Sequence, residues 1–382
     1  MNKLFLFCFL AIFSTALCIN NGVAVTPPMA FNTWNHFGCN IDEDLAISTM
    51  NKMISLGLSD VGYKYFNLDD CWMAKERTTN GDLTSDPTRF SKGIKYLADY
   101  AHTKGLKFGA YECMGTKTCQ GYPGSFNHYS QDAQTFADWG LDYIKMDWCY
   151  TKQNNLDPRV VYPIFRDALN KTGREIVFSI CEWGVDSPYL WGKQTGNSWR
   201  TSGDISCKWD RMQYCIEQVI GRSKYAGEGG WNDPDMLEIG NGCLTYNEET
   251  SHFALWAIAA APLLIGCDLN SIPESSLEIL KNTEIIAVNQ DIGSVPGDCI
   301  YKKDEKQIWT RKLSDGSVAV VMWNTNIESQ DLEVTWEQIG LSCQTATKVR
   351  DLVEHTTYNN VDNGWKEISL DSHSVKMFRV YC

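Results

Sequence analysis

A chain of 382 residues suffices for one large domain and a smaller one, and 43 % apolar against 21 % charged residues can build a sizeable core. A net charge of −13 with six scattered histidines excludes a nucleic-acid partner, because phosphate contacts need clustered Lys and Arg. No stretch is polar enough to read as disordered, and there are no internal repeats.

The chain begins with Met-Asn-Lys, an apolar block from Leu4 to Phe13 and a Ser-Thr-Ala-Leu-Cys exit, so residues 1–18 read as a cleaved secretory signal peptide. That block is too short to span a bilayer and no later run is longer, so no membrane association is expected. The implied destination is secreted or lysosomal. Fifteen cysteines are present, with Cys8 and Cys18 in the signal; the other thirteen suit an oxidising compartment, and an odd number leaves at least one free thiol. Asn170-Lys171-Thr172 is the one acceptor sequence for N-glycosylation with a permitted middle residue.

From residue 25 short strand-like and longer helix-like segments alternate. The expected strands are Thr26–Trp34, Tyr63–Leu68, Leu106–Tyr111, Tyr143–Asp147, Glu175–Cys181, Ser198–Ser202, Tyr225–Gly227 and Pro262–Cys267. Helical patterns fall at Asp42–Leu56, Gly93–Lys104, Tyr129–Trp139, Arg159–Lys171, Trp209–Ile220 and Tyr246–Ala260. The first has Asn40 and Glu43 at capping-box spacing and Leu45, Met50, Met53 and Ile54 on one face. Eight alternations over about 265 residues match a (β/α)8 barrel, spanning 22–291. An open doubly wound sheet would suit fewer strands, and no Gly-rich dinucleotide turn follows the first strand. After Asn289-Gln290-Asp291 the rhythm changes to short alternating strands (Gln307–Leu313, Ser317–Asn324, Leu332–Trp336, Thr347–Val353, Trp365–Leu370 and Ser374–Tyr381). The segment 292–382 therefore reads as a C-terminal antiparallel β-sandwich.

Polar residues gather where the barrel strands end: Trp34, Asp69-Asp70, Tyr111, Lys145 with Asp147, Glu182, Arg200 with Asp204, and Asn232-Asp233-Pro234-Asp235-Met236. Lys145 and Asp147, two apart on one strand, point the same way. They fit a structural ion pair and a catalytic group equally well. Acids and bases at six of eight strand ends would meet in one pocket at the carboxyl face of the barrel. No strand ends in a histidine, and tryptophans beside a lysine make a poor cation cage, so neither a metal nor another cofactor is expected. Hydrolysis of a glycosidic bond, which needs two carboxyls across a sugar, suits the set better, and the many aromatic residues suit the apolar faces of sugar rings.

Six motifs in register carry a family likeness: Thr26-Pro27-Pro28-Met29 with Trp34, Asn67 to Trp72, Lys145 to Tyr150, Cys181-Glu182-Trp183-Gly184, Trp199-Arg200 with Asp204, and Gly229 to Leu237. Together they resemble glycoside hydrolase family 27, the α-galactosidases (melibiases) and α-N-acetylgalactosaminidases, from about residue 25 to the C-terminus. The resemblance implies a retaining exo-glycosidase acting on terminal α-galactosides by double displacement, as a monomer or homodimer. It makes Asp147 the nucleophile and Asp204 the general acid/base, with the two carboxyls about 5–5.5 Å apart. Lys145 and Arg200 would keep Asp147 ionised while Asp204 holds a proton. Asp69 and Asp70 would accept hydrogen bonds from the 4- and 6-hydroxyls and Lys145 would contact the 3- and 4-hydroxyls. Trp34 would pack near C6, Tyr111 and Asp235 would support the pocket, and Met236 would form an apolar wall. Glu182 would read a free 2-hydroxyl, favouring galactose over its N-acetyl analogue.

Two disulfides, Cys39–Cys71 and Cys119–Cys149, follow from the same likeness. The sequence departs from the pattern at Ala30-Phe31, where Gly-Trp is usual, and at Gly196-Asn197-Ser198, which leaves Cys181 without the partner some members give it. An α-N-acetylgalactosaminidase or another specificity of the family, such as a β-L-arabinopyranosidase, and a galactose-binding protein without catalysis are the rival readings; a missing Asp147 or Asp204 would mark the last, and both are present.

Overall fold

The computed structural model describes residues 21–382, so the expected signal peptide lies outside the described residues. Eight parallel strands form the first sheet: β1 Met29–Asn32, β2 Tyr65–Leu68, β3 Lys107–Cys113, β4 Tyr143–Asp147, β5 Val177–Cys181, β6 Ser198–Arg200, β7 Trp231–Asp233 and β8 Leu263–Ile265. They pair in the order β7-β6-β5-β4-β3-β2-β1-β8. The last seam closes just beyond β7, where Leu237 bridges Ile265 in parallel and the Leu237 N–H donates to the Leu264 carbonyl at 2.8 Å. The sheet is thus a closed barrel with every chain end of a strand on one face. Inside it, Gly109 is required by close approach. A Cβ there would lie 2.1 Å from Asn67 Oδ1 and 2.7 Å from Tyr143 Cβ.

The seventh strand differs from the expected Tyr225–Gly227. That stretch ends a short 3-10 turn, and Gly227 and Gly230 exchange two 2.8 Å backbone hydrogen bonds in a tight glycine turn. The strand itself is Trp231–Asp233, so Asn232 and Asp233 lie within it rather than after it. Likewise Trp34 opens a one-turn helix, Trp34–Phe37, once β1 has ended. The first long helix, Glu43–Ser55, is capped by Asp42, whose carboxylate accepts from the Leu45 N–H at 2.7 Å. The expected box from Asn40 does not form, because Glu43 turns to Lys92 at 2.8 Å.

The C-terminal region adds eight antiparallel strands. Asp298–Lys303, Lys306–Lys312, Val318–Asn324, Thr345–Asp351, Thr357–Asp362 and Val375–Tyr381 form one sheet, and Gln330–Thr335 pairs with Gly364–Leu370 in another. Val320, Met322, Leu332, Val334, Trp336 and Phe378 pack between the two as their own core. Its first and sixth strands, Asp298–Lys303 and Thr357–Asp362, escaped sequence reading because they are largely exposed along their length. The helix Tyr246–Ile258 joins the two regions. From Glu248 onward it is buried on every side, the barrel covering one face and the strands Lys306–Lys312, Val318–Asn324 and Val375–Tyr381 another.

Candidate active site

The strand ends bring ten of the eleven expected site residues into one pocket: Trp34, Asp69, Asp70, Tyr111, Lys145, Asp147, Arg200, Asp204, Asp235 and Met236. Its wall also holds Cys119, expected only as half of a disulfide, and Asn35 and Ile205, which carried no sequence signal because neither ends a strand.

Carboxylates dominate, and each is fixed differently. Asp69 is buried; its Oδ2 accepts from Lys145 Nζ at 2.9 Å and Asn32 Nδ2 at 2.7 Å. The ion pair of Lys145 is therefore with Asp69 across the barrel rather than with Asp147 along its own strand. Asp70 accepts from the Cys71 N–H at 2.6 Å and the Gln120 N–H at 3.0 Å. Burial still pushes its carboxyl up to about 6. Asp147 is 6 % exposed. It accepts from the Tyr111 hydroxyl at 3.0 Å and from the Trp148 N–H at 2.8 Å, which together set its plane. Arg200 reaches Asp235 at 2.7 Å and Asp204 at 3.0 Å, while Asp235 also accepts from the Ile205 N–H at 2.7 Å. That last bond ties the Asp204 loop to the end of β7.

Burial and neighbouring charges push the two carboxyls in opposite directions. Burial raises Asp147 to about 6, with Lys145 only partly opposing it. Burial raises Asp204 as well, but Arg200 and Lys145 outweigh it and hold its carboxyl below the ordinary range. The physical reason is location: Asp204 lies on an exposed loop against a guanidinium, and Asp147 lies on the barrel floor.

Glu182 does not line the pocket. It is fully buried, with Oε2 accepting from the Asp186 N–H at 2.9 Å and Oε1 unpartnered. Burial pushes it to about 7. Its turn is tightly built: Trp183 has φ 61°, and a Cβ on Gly184 would meet the Thr201 carbonyl at 2.4 Å.

Both expected disulfides form, Cys39–Cys71 and Cys119–Cys149, and both flank the pocket. Two more were not foreseen. Cys207–Cys243 joins the segment after Asp204 to the loop after β7, and Cys343–Cys382 closes the C-terminal region. Cys113, Cys181, Cys215 and Cys267 are buried thiols and Cys299 a half-buried one. Asn170 is exposed near the end of the helix Pro158–Thr172.

A closed (β/α)8 barrel with a carboxylate-lined pocket at its carboxyl face, followed by a β-sandwich, defines a glycoside hydrolase. The family described as alpha galactosidase A matches residues 26–291, and its C-terminal beta sandwich domain matches residues 303–380. Alpha-galactosidase 2 of Arabidopsis thaliana is 46 % identical over 96 % of this chain and 92 % of that protein, and the alpha-galactosidase of Coffea arabica is 46 % identical over 94 % of each. The crystal structure of alpha-galactosidase I from Mortierella vinacea superposes with a TM-score of 0.90 at 36 % identity, covering 94 % of this chain and 98 % of that one. This chain belongs to the alpha-galactosidase (melibiase) family.

Proposed function

We propose that the protein hydrolyses terminal α-D-galactosyl groups with retention of configuration. The observation that carries this reading is the convergence of Asp147 and Asp204, from strands two apart, on one pocket whose remaining walls are hydrogen-bonding acids and bases. Asp147 attacks the anomeric carbon and forms a glycosyl ester. Tyr111 and the Trp148 N–H hold its attacking carboxylate in one orientation. Asp204, on the open side of the pocket, protonates the departing oxygen and then takes a proton from water. Once Asp147 is esterified its charge is gone, and Arg200 then favours the ionised Asp204 that the second step needs.

Asp69, Asp70 and Lys145 form a charged corner that binds sugar hydroxyls, and a hydroxyl missing there leaves buried charge unpaired. This corner supports discrimination by the axial 4-hydroxyl. The similarity to alpha-galactosidases of Arabidopsis thaliana and Coffea arabica favours galactose over its N-acetyl analogue. The four disulfides fit delivery through an oxidising, secreted or lysosomal route, with a glycan on the exposed Asn170. Among the described residues no helix is long and apolar enough to cross a membrane.

Turnover of nitrophenyl α-galactoside, set against its N-acetyl analogue, tests the substrate. Equal rates on both would overturn the specificity. Asp147→Ala should lose activity that azide restores with inverted product, and near-normal turnover by this variant would overturn the nucleophile assignment.

A further inference from the structure

A groove of about 840 Å³ lies outside the catalytic pocket, between the loop that follows β2 and the loop that follows β3. Its floor is Arg77, whose guanidinium donates to the Gly81 carbonyl at 2.9 Å, to the Gly124 carbonyl at 2.8 Å, and to both oxygens of buried Asp132 at 2.7 Å. One side chain therefore ties both walls together, and the groove is preformed. The second wall is a tight hairpin: the Thr118 N–H donates to the Tyr122 carbonyl at 2.8 Å, and Lys117 bridges Pro123.

That hairpin has two faces. Cys119 lines the catalytic pocket, while its neighbour Gln120 lines the groove and gives its N–H to Asp70 inside the pocket at 3.0 Å. The Cys119–Cys149 disulfide anchors the same hairpin to the end of β4. Groove and pocket are thus separated by about one chain thickness, since consecutive Cα atoms are about 3.8 Å apart.

The chemistry of the groove is that of a saccharide site. Tyr122 and Phe126 are half-buried aromatic rings along it, able to meet the apolar C–H faces of pyranose rings. Lys75, Lys117 and Gln120 are exposed polar side chains of the kind that bond hydroxyls. With Arg77 spent on Asp132, Lys75 and Lys117 exceed Glu76 by a single charge beside His128, too small an excess to hold a polyion, so the groove suits a neutral chain. The volume exceeds what one small ring needs, within the roughly 300–1,000 Å³ of ordinary ligand sites.

We infer that this groove is a second, non-catalytic binding site for a neutral oligosaccharide, holding another segment of the branched carbohydrate whose terminal galactose enters the pocket. Only the identity of the ligand rests on the proposed activity. The consequence is a split between substrates. Phe126→Ala and Lys117→Ala, both away from the pocket, should leave kcat/KM on nitrophenyl α-galactoside within about twofold. On a short galactosylated β-mannan oligosaccharide they should raise KM about fivefold with little change in kcat. A galactose-free mannooligosaccharide titrated into the full-length protein by calorimetry should bind the wild type and bind both variants several-fold more weakly. Variants whose melting temperature matches wild type but whose KM is unchanged on the long substrate would overturn the inference, as would an equal change on both substrates. Wild-type protein inert toward nitrophenyl α-galactoside would instead sink the catalytic reading. In that case the calorimetry alone would decide the groove, and no binding would refute it.

Discussion

Asp147, 6 % exposed at the end of its strand, is raised by burial, whereas Asp204, whose side chain is 67 % exposed on a loop, is lowered by Arg200 and Lys145. The two carboxyls share a pocket and titrate as a pair, so the form competent for the first step carries one proton between them. The singly protonated pair, of which the arrangement with the proton on Asp204 reacts, predominates below the raised value of about 6 and above the depressed one beside Arg200. The kcat/KM profile should therefore be bell-shaped with its alkaline limb centred at about 6; a maximum above neutrality would contradict the assignment. Tyr111 acts on the same carboxylate through a single hydrogen bond. Tyr111→Phe should lower kcat about tenfold while KM stays within about twofold, the size expected for losing one bond to a charged group. Unchanged kcat in steady-state assays would remove Tyr111 from the orienting set.

Three barrel strands run into turns with strained, non-glycine backbone. Cys71 after β2, Trp183 after β5 and Asp235 after β7 have φ of 81°, 61° and 85°, and none is glycine. Each turn redirects the chain sharply enough that the acid beside it faces the pocket or braces its rim, and disulfides or ion pairs hold two of the three. A second element-scale device joins the two regions. Arg311, on the strand Lys306–Lys312, is buried and donates to the Val288 carbonyl at 2.5 Å, the Asn289 carbonyl at 3.1 Å and the Val295 carbonyl at 2.7 Å. It thereby caps the end of the helix Thr283–Asn289 with a cation, the favourable sign for that terminus. Arg311→Met should cost about 3 kcal/mol, because three carbonyls lose a charged donor inside the protein. The urea midpoint of the variant measures it, and a loss below about 0.5 kcal/mol would deny Arg311 this role.

On the scale of the whole molecule, the buried acids bias the protein toward acid conditions. Burial raises Asp70, Asp147 and Asp233 to about 6 and Glu182 and Glu238 to about 7, and pushes Glu112 well above its usual value. The folded state thus binds more protons than the unfolded chain between about pH 4 and 7. Their contribution is fully present below the unfolded values and is lost as pH rises through the folded ones. Asp315, Glu284 and Asp157 are shifted down by arginine partners and lose theirs only as pH falls below the ordinary carboxylate range. Thermal stability should therefore peak near pH 5, and the melting temperature at pH 8 should lie on the order of 5 °C lower. A calorimetric melting temperature that rises from pH 5 to 8 would refute this.

Local pattern carried the barrel, the sandwich and ten of the thirteen pocket residues, because a strand's apolar run and the polar residue that ends it are neighbours in the chain. The same property placed the seventh strand wrongly. Trp231–Asp233 is three residues long, too short for a periodic signal, and its acids looked like a loop. Closure of the barrel decided what no window of sequence contains: that Lys145 pairs with Asp69, and that Glu182 turns into its own backbone. It also decided that Cys207 finds Cys243, that Arg200 lies against Asp204 and lowers its carboxyl, and that Asp147 is buried enough to be raised. Each depends on which groups lie across a few ångströms of low-dielectric space after distant strands meet, and burial and partner distance are properties of the closed barrel alone.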